Sequence, residues 1–249
     1  ALARLTWNGH AWLPGESDGG PAPDVATPPG LTVADMDGMG HVLAVARSGG
    51  WRRQIVWRHG AFLVVADDAG GDARAAALAV AEGVVRDAGA VASSRTLRVG
   101  MSAVGLTRVP PTSASSQGRS ATVVALGGSD RVVMDDETGS LAIGDATCYI
   151  GNAGANGAST RADCTVLDGD DIWLVGFRRV EVDGEAQLES SCPVHLHLRP
   201  SRESGRVQAN DACRLTWNDG ADGIDLDAGE YDVQLQDFDW SGLARLAGR

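Results

Sequence analysis

WRRQIVWRHGAFLVVADD, Trp51–Asp68, carries two runs of β-branched and aromatic residues around a break at His59-Gly60. Apolar runs of this kind closed by a glycine turn are the pattern of an antiparallel hairpin, so strands are expected over Arg52–Arg58 and Ala61–Ala66. The same alternation of apolar run and turn continues outward. Upstream it marks Leu2–Trp7, Leu31–Met36 and His41–Arg47 as strands. Downstream it marks Thr96–Ala103, Ala121–Leu126, Arg131–Met134, Ser140–Ile143, Thr147–Ile150, Ile172–Val182, Ala186–Glu189, Val194–Leu198, Arg214–Trp217 and Tyr231–Gln236. Punctuation comes from 33 glycines, with Gly-Gly beginning at Gly19, Gly49, Gly70 and Gly127 and Asp-Gly beginning at Asp37, Asp168, Asp183, Asp219 and Asp222.

So many short strands exceed one small sheet and require two large stacked sheets, a closed barrel or two smaller sandwiches. The expectation is an all-β fold: a large antiparallel β-sandwich, super-sandwich-like, forming one domain over residues 1–249. The alternative is a division near residue 115, in the polar, Ser-rich stretch Pro110–Gly118. One helix is expected, over Asp72–Ala88, where Ala, Leu, Val and Glu dominate and no proline intrudes, although Gly83, Val84 and Val85 weaken its end. Gly15–Gly30, with four of the nine prolines, reads as a loop.

The 249 residues are 43% hydrophobic, enough to bury a substantial core. The longest uncharged apolar run, around Ala75–Ala81, is far short of the roughly 20 residues a helix needs to cross a bilayer, so no membrane partner is expected. The formal net charge of −12 repels phosphate backbones, and no basic cluster exceeds Arg52-Arg53 or Arg178-Arg179, which argues against nucleic acid. Lysine is absent, which removes Schiff-base and lysine-base chemistry. The chain begins at Ala1 with no leader pattern, as expected of a processed product or a piece of a longer chain. Cys148, Cys164, Cys192 and Cys213 form no Cys-x-x-Cys motif. Their proximity in sequence favours disulfides Cys148–Cys164 and Cys192–Cys213, with four buried thiols as the other reading.

Trp51–Asp68 also resembles the β-sheet domain of heparinase II/III-like polysaccharide lyases, where an aromatic and basic strand turns tightly into an apolar strand ending in Asp. TVADMDG at Thr32–Gly38 and HVLAVAR at His41–Arg47 look like its preceding strands. DLDAGEYDVQL at Asp225–Leu235 resembles its closing segment. The resemblance covers about half the chain. It implies a C-terminal stack of antiparallel sheets beside a helical toroid, with an anionic, uronic-acid polysaccharide in the cleft between them. Such lyases work by β-elimination and are exported, so an extracellular or periplasmic location follows from the likeness. This chain has no helical toroid and no His-rich segment with Gly and Asp. Its own phenolic bases are Tyr149 and Tyr231, neither beside a His in sequence. The resemblance therefore implies a non-catalytic or cleft-completing domain, inactive alone, with a helical catalytic domain as its partner.

Two groups of residues are candidate substrate contacts. Trp51 and Trp57, six positions apart, share a strand face with Arg53, and two indoles flanking a guanidinium suit an acidic sugar. The alternative for these tryptophans is core packing. His195 and His197 stand two apart in Val194–Leu198, so their rings share one face. Two imidazoles can start a metal site or bind a carboxylate when protonated. Otherwise they are a polar pair on the solvent face, with Val194, Leu196 and Leu198 inward. The Asp-rich segments Asp35–Gly38, Asp135–Gly139 and Asp168–Asp171 lack the spacing of a calcium loop and read as solvated turns. No cofactor is expected, calcium and zinc being the only cations these groups suggest. Ser-His-Asp catalysis lacks a G-x-S-x-G elbow. GNAGANGAST, Gly151–Thr160, lacks the lysine of a phosphate loop and reads as a mobile loop.

Overall fold

The computed structural model describes residues 3–4, 6–7, 12–13, 31–45, 52–68, 78–80, 83–85, 93–99, 102–109, 119–126, 132–134, 140–235 and 237–246. The chain is all-β, as the strand pattern predicts, and divides into two compact units, Ala1–Val132 and Val133–Arg249. The expected division point near residue 115 lies outside the described residues.

In the first unit, β1 (Ala3–Arg4), β2 (Thr6–Trp7) and β3 (Trp12–Leu13) are short, and β2 pairs with β3. The main sheet uses β4 (Leu31–Met36), β5 (Met39–Val45), β6 (Arg52–Arg58) and β7 (Phe62–Asp68). β8 (Leu78–Val80) and β9 (Gly83–Val85) pair with each other, and β8 with β1. Then follow β10 (Ser93–Val99), β11 (Ser102–Val109) and β12 (Arg119–Leu126). The seven-stranded antiparallel sheet runs β10-β11-β12-β7-β6-β5-β4. Its first hairpin turns on Asp37-Gly38, both in left-handed backbone at φ 47 and 81, as a two-residue turn matched to the strand twist requires. The hairpin quoted above closes from Arg58 to Phe62 around Gly60.

The expected helix is not formed: within Asp72–Ala88, Leu78–Val80 and Gly83–Val85 are strands and the other residues lie outside the described set. The alanines gave the helical reading, but Val80, Val84 and Val85 are β-branched and Gly83 disfavours helix, and strand pairing prevails.

The second unit holds β13 (Val132–Met134), β14 (Leu141–Ile143), β15 (Ala146–Ile150), β16 (Ala153–Ala155), β17 (Ala158–Arg161) and β18 (Cys164–Asp168). β19 (Asp171–Val182) and β20 (Glu185–Arg199) are far longer than the rest. After a 3-10 turn at Pro200–Arg202 come β21 (Ser204–Ala209), β22 (Cys213–Trp217), β23 (Asp222–Leu226), β24 (Gly229–Gln234) and helix α1 (Ser241–Leu246).

Length lets β19 and β20 serve two layers. One half of β19 pairs with β18 and the other with β17, while β20 pairs with β21 along Val194–Arg199 and with β22 along Leu188–Ser190. The sheet thus folds over along this hairpin. Leu174, Leu196, Leu198, Val207 and Val233 from one layer share a single core with Val180, Leu188, Leu215 and Leu226 from the other. Leu235, Phe238, Leu243 and Leu246 of the C-terminal segment complete it. α1 packs on β16, β17 and β19, where Gly242 leaves room for the Val182 side chain.

Folding over needs a break in the ladder, and the register between β19 and β20 shifts at Leu174/Phe177, Phe177/Arg179 and Val180/Glu181. At the first shift Gly176 takes φ 61, and the Asp163 carboxylate fills the space where a Cβ would stand. Both facts demand glycine.

GNAGANGAST is not a loop but the β16–β17 hairpin, turning on Asn156-Gly157 at φ 52 and 79. Asn-Gly is the strongest two-residue hairpin signal, and the surrounding small residues masked it. The expected disulfides are also absent: Cys148, Cys164, Cys192 and Cys213 are free thiols, although each expected pair is adjacent. Cys148 faces Val166 and Cys164 faces Ile150, a diagonal relation. The two thiols are hydrogen-bonding neighbours inside the core, and that contact raises the Cys164 thiol well above its ordinary value.

Gly176→Ala is expected to lower the denaturant midpoint by the equivalent of about 2–4 kcal/mol, combining left-handed strain with the Asp163 clash. Gly184→Ala, at φ 91 in open space, carries strain alone and should cost about 1 kcal/mol. Equal losses in chemical denaturation would remove the bulge's special role.

Candidate functional site

His195 and His197 lie on the same face of β20, as their spacing predicts, but not on a solvent face. They are 5% and 2% exposed, and Val194, Leu196 and Leu198 on the opposite face are buried as well. This part of the sheet is covered on both sides. Cys164–Leu167 and Ile172–Val175 are buried at four successive positions each, the signature of strands with no wet face. Correcting the solvent-face reading, these imidazoles are interior groups whose polar atoms need internal partners.

His197 lies directly opposite Trp173, and the two rings stack at 4.7 Å with 6° between planes. Its Nε2 is 2.7 Å from Asp171 Oδ1, and since a carboxylate only accepts, that nitrogen carries the proton. Arg199 Nε donates to the same oxygen at 3.1 Å. Asp171 begins β19, immediately after the Gly169-Asp170 turn, so the hairpin itself delivers the carboxylate to His197 and Arg199. Partial burial raises the Asp171 pKa, but hydrogen bonds from His197 and Arg199, with their charge, outweigh it and hold the carboxyl below its usual range. Next to it, Asp170 accepts from the Ser201 backbone N–H at 3.0 Å and from the Ser201 hydroxyl, tying the β18–β19 turn to the end of β20.

His195 performs a different task. Gly176 N–H, turned out of the ladder by the bulge, donates to His195 Nδ1 at 3.1 Å. The acceptor must be unprotonated, so the ring is neutral with its proton on Nε2.

The other candidate contacts belong to the first unit. Trp57 is half-buried and directly opposite Gly40, and its indole occupies the space a Gly40 side chain would need. An aromatic ring laid over a cross-strand glycine is a packing device. Arg53 pairs with Ala44 and Asp67 in the backbone register, but its side chain lies outside the described residues, as does Trp51 entirely. Beside Trp57, Arg58 Nη1 donates to Gly38 O at 3.3 Å, and His41 Nε2 donates to Gln54 Oε1 at 3.1 Å within the interior.

Both phenols are engaged. Buried Tyr149 donates to Leu246 O at 2.9 Å, joining β15 to α1, and Tyr231 donates to Asp227 O at 3.2 Å. Asp37-Gly38 and Gly169-Asp170 are hairpin turns, and Asp135–Gly139 lies outside the described residues. Among the described residues no three His, Cys, Asp or Glu converge as metal ligands.

Trp173 and Gly176 are the residues that sequence reasoning missed, and Asp171, expected in a solvated turn, instead accepts from His197 and Arg199 at the start of β19. A signal existed: DIWLVGF runs apolar through consecutive positions, which a half-wet strand does not do, and its glycine interrupts a strand pattern. No family model matches the chain, and no curated protein matches it.

Replacing His195 with Phe keeps volume but leaves the Gly176 N–H without its acceptor, and should cost about 1–3 kcal/mol in denaturant unfolding. Asp171→Asn gives a pH signature. A carboxyl held low in the folded state stabilises above its unfolded pKa of about 3.9 and loses that contribution as pH falls through the folded value. The stability gap between wild type and Asp171→Asn should therefore be full near pH 7 and close below about pH 4. A gap independent of pH would contradict the ion-pair assignment.

Proposed function

We propose that this chain is a non-catalytic or cleft-completing β-sandwich domain of an exported polysaccharide lyase, held beside a helical catalytic domain that cleaves uronic-acid glycans by β-elimination. The observation that carries the non-catalytic part is the engagement of Tyr149, His195 and His197 among the described residues. Tyr149 is bonded to Leu246 O, His195 to the Gly176 N–H and His197 to Asp171, all in the interior. A general base must reach the proton it takes, and groups committed to buried structural bonds do not. The lyase context is supported by the resemblance at Trp51–Asp68, whose two strands and tight turn form the hairpin that the likeness implies. An extracellular or periplasmic site and an anionic polysaccharide as partner belong to the same reading.

A structural or adhesive sandwich domain, with no ligand, is the second reading, favoured by Trp57, whose ring is spent on covering Gly40. An autonomous carbohydrate-binding module is a third class, and the same binding measurement addresses it.

Purified chain incubated with uronic-acid polysaccharides is expected to produce no unsaturated-uronate absorbance above the protein-free control. Product growth that disappears in Tyr149→Phe would overturn the assignment of catalysis to another domain. In affinity gels containing acidic polysaccharide, retardation is expected, strengthening from low to moderate salt as repulsion from the net −12 chain is screened. Mobility unchanged by any acidic or neutral polysaccharide would leave the structural reading.

A further inference from the structure

Two cysteine pairs lie in the second unit, and they differ in access and in register. Cys148 and Cys164 are fully covered and diagonal to one another. Cys192 and Cys213 sit where β20 meets β22. The paired positions there are Glu189 with Thr216 and Ser190 with Leu215. The Arg214 backbone N–H donates to Ser191 Oγ at 2.9 Å, which carries the contact one residue further. Continuing the same register one step brings Cys192 opposite Cys213 on one sheet face, and the two thiols are hydrogen-bonding neighbours. Cys192 is half-buried at the rim, its thiol 3.6 Å from Pro193 O, whereas Cys213 is buried in the core edge. Cross-strand neighbours have Cβ atoms about 4.5–5.5 Å apart, close to the range a disulfide spans.

We propose that Cys192 and Cys213 are a thiol–disulfide redox site, closing across β20 and β22 by exchange with a small-molecule disulfide while Cys148 and Cys164 remain thiols. Cys192, the accessible sulfur, attacks the reagent as thiolate, forming a mixed disulfide and releasing one reagent thiol. Cys213 then attacks the Cys192 sulfur, the second reagent thiol leaves, and an intramolecular disulfide results. The two cysteines lose two electrons and two protons, and the reagent disulfide gains them as two thiols. Closure fastens the β22–β23 hairpin to the strand that crosses both layers. The site stands independently of the glycan reading, because it needs only the strand register.

Burial, then the neighbouring Cys213 sulfur and Asp211, push the Cys192 thiol up to about 11, against the smaller opposing effect of Arg178. Thiolate is therefore scarce at neutral pH, and closure should accelerate close to tenfold per pH unit between pH 7 and 9.

The test treats the reduced full chain with glutathione disulfide, quenches with an alkylating agent under denaturing conditions, and maps the peptides. The expected result is a Cys192–Cys213 cross-link, with Cys148 and Cys164 alkylated. Closing this loop of about 20 residues should raise Tm by roughly 6–12 °C. In Cys213→Ser the glutathione adduct on Cys192 should persist, whereas in wild type it is transient. A wild-type adduct as persistent as that of the variant, Cys192 and Cys213 both left alkylatable, or a cross-link from either to Cys148 or Cys164 would each overturn the proposal. Because wild-type mapping is decisive alone, a variant that fails to fold does not shield it.

Discussion

A sandwich made from one folded-over sheet must let some strand belong to both layers, and here that demand falls on the β19–β20 hairpin. A regular ladder would carry it straight past the core. Gly176 breaks the ladder in left-handed backbone, and its displaced N–H needs an acceptor inside the protein. His195 is that acceptor. From this bond follow the turn of the hairpin, the two sets of strand partners and the enclosure of one core by Leu196, Val207, Leu188 and Leu215.

Covering both faces of one half of the same hairpin has a second consequence. Along Ile172–Val175 and Val194–Leu198 a polar side chain on the far face from that core is also interior, and must be satisfied by the hairpin's own residues or its neighbours. Trp173 and His197 answer this by stacking, and Asp171 by collecting donors from His197 and Arg199. Networks of this kind stabilise when complete and cost heavily when one member is removed. They also engage His197, which ties the packing of this unit to its proposed non-catalytic role.

Much of the strand order was readable from residues alone. Val, Ile and Trp runs between glycine turns marked Arg52–Arg58, Ile172–Val182 and Val194–Leu198, and the structure makes strands over each. Errors arose where composition misled locally. Alanines suggested a helix where Leu78–Val80 and Gly83–Val85 pair as strands, and small residues hid the Asn156-Gly157 hairpin. Ser204–Ala209, a strand with four polar or glycine positions in six, gave no pattern at all, yet it pairs on both sides. Its partners supply the apolar context that it lacks.

Local alternation, turn chemistry and the side-chain period of two determined that this chain is all-β, where Asp37-Gly38 and Asp183-Gly184 reverse it, and that His195 and His197 share one face of a strand. Whether that face meets water was decided only in three dimensions. Burial depends on what covers a strand from above and below, and that arrangement is set by residues far away in sequence, beyond the reach of any local pattern. The same separation explains the cysteines: proximity in sequence brought the right sulfurs together, while tertiary packing covered Cys148 and Cys164 fully and left Cys192 at the rim.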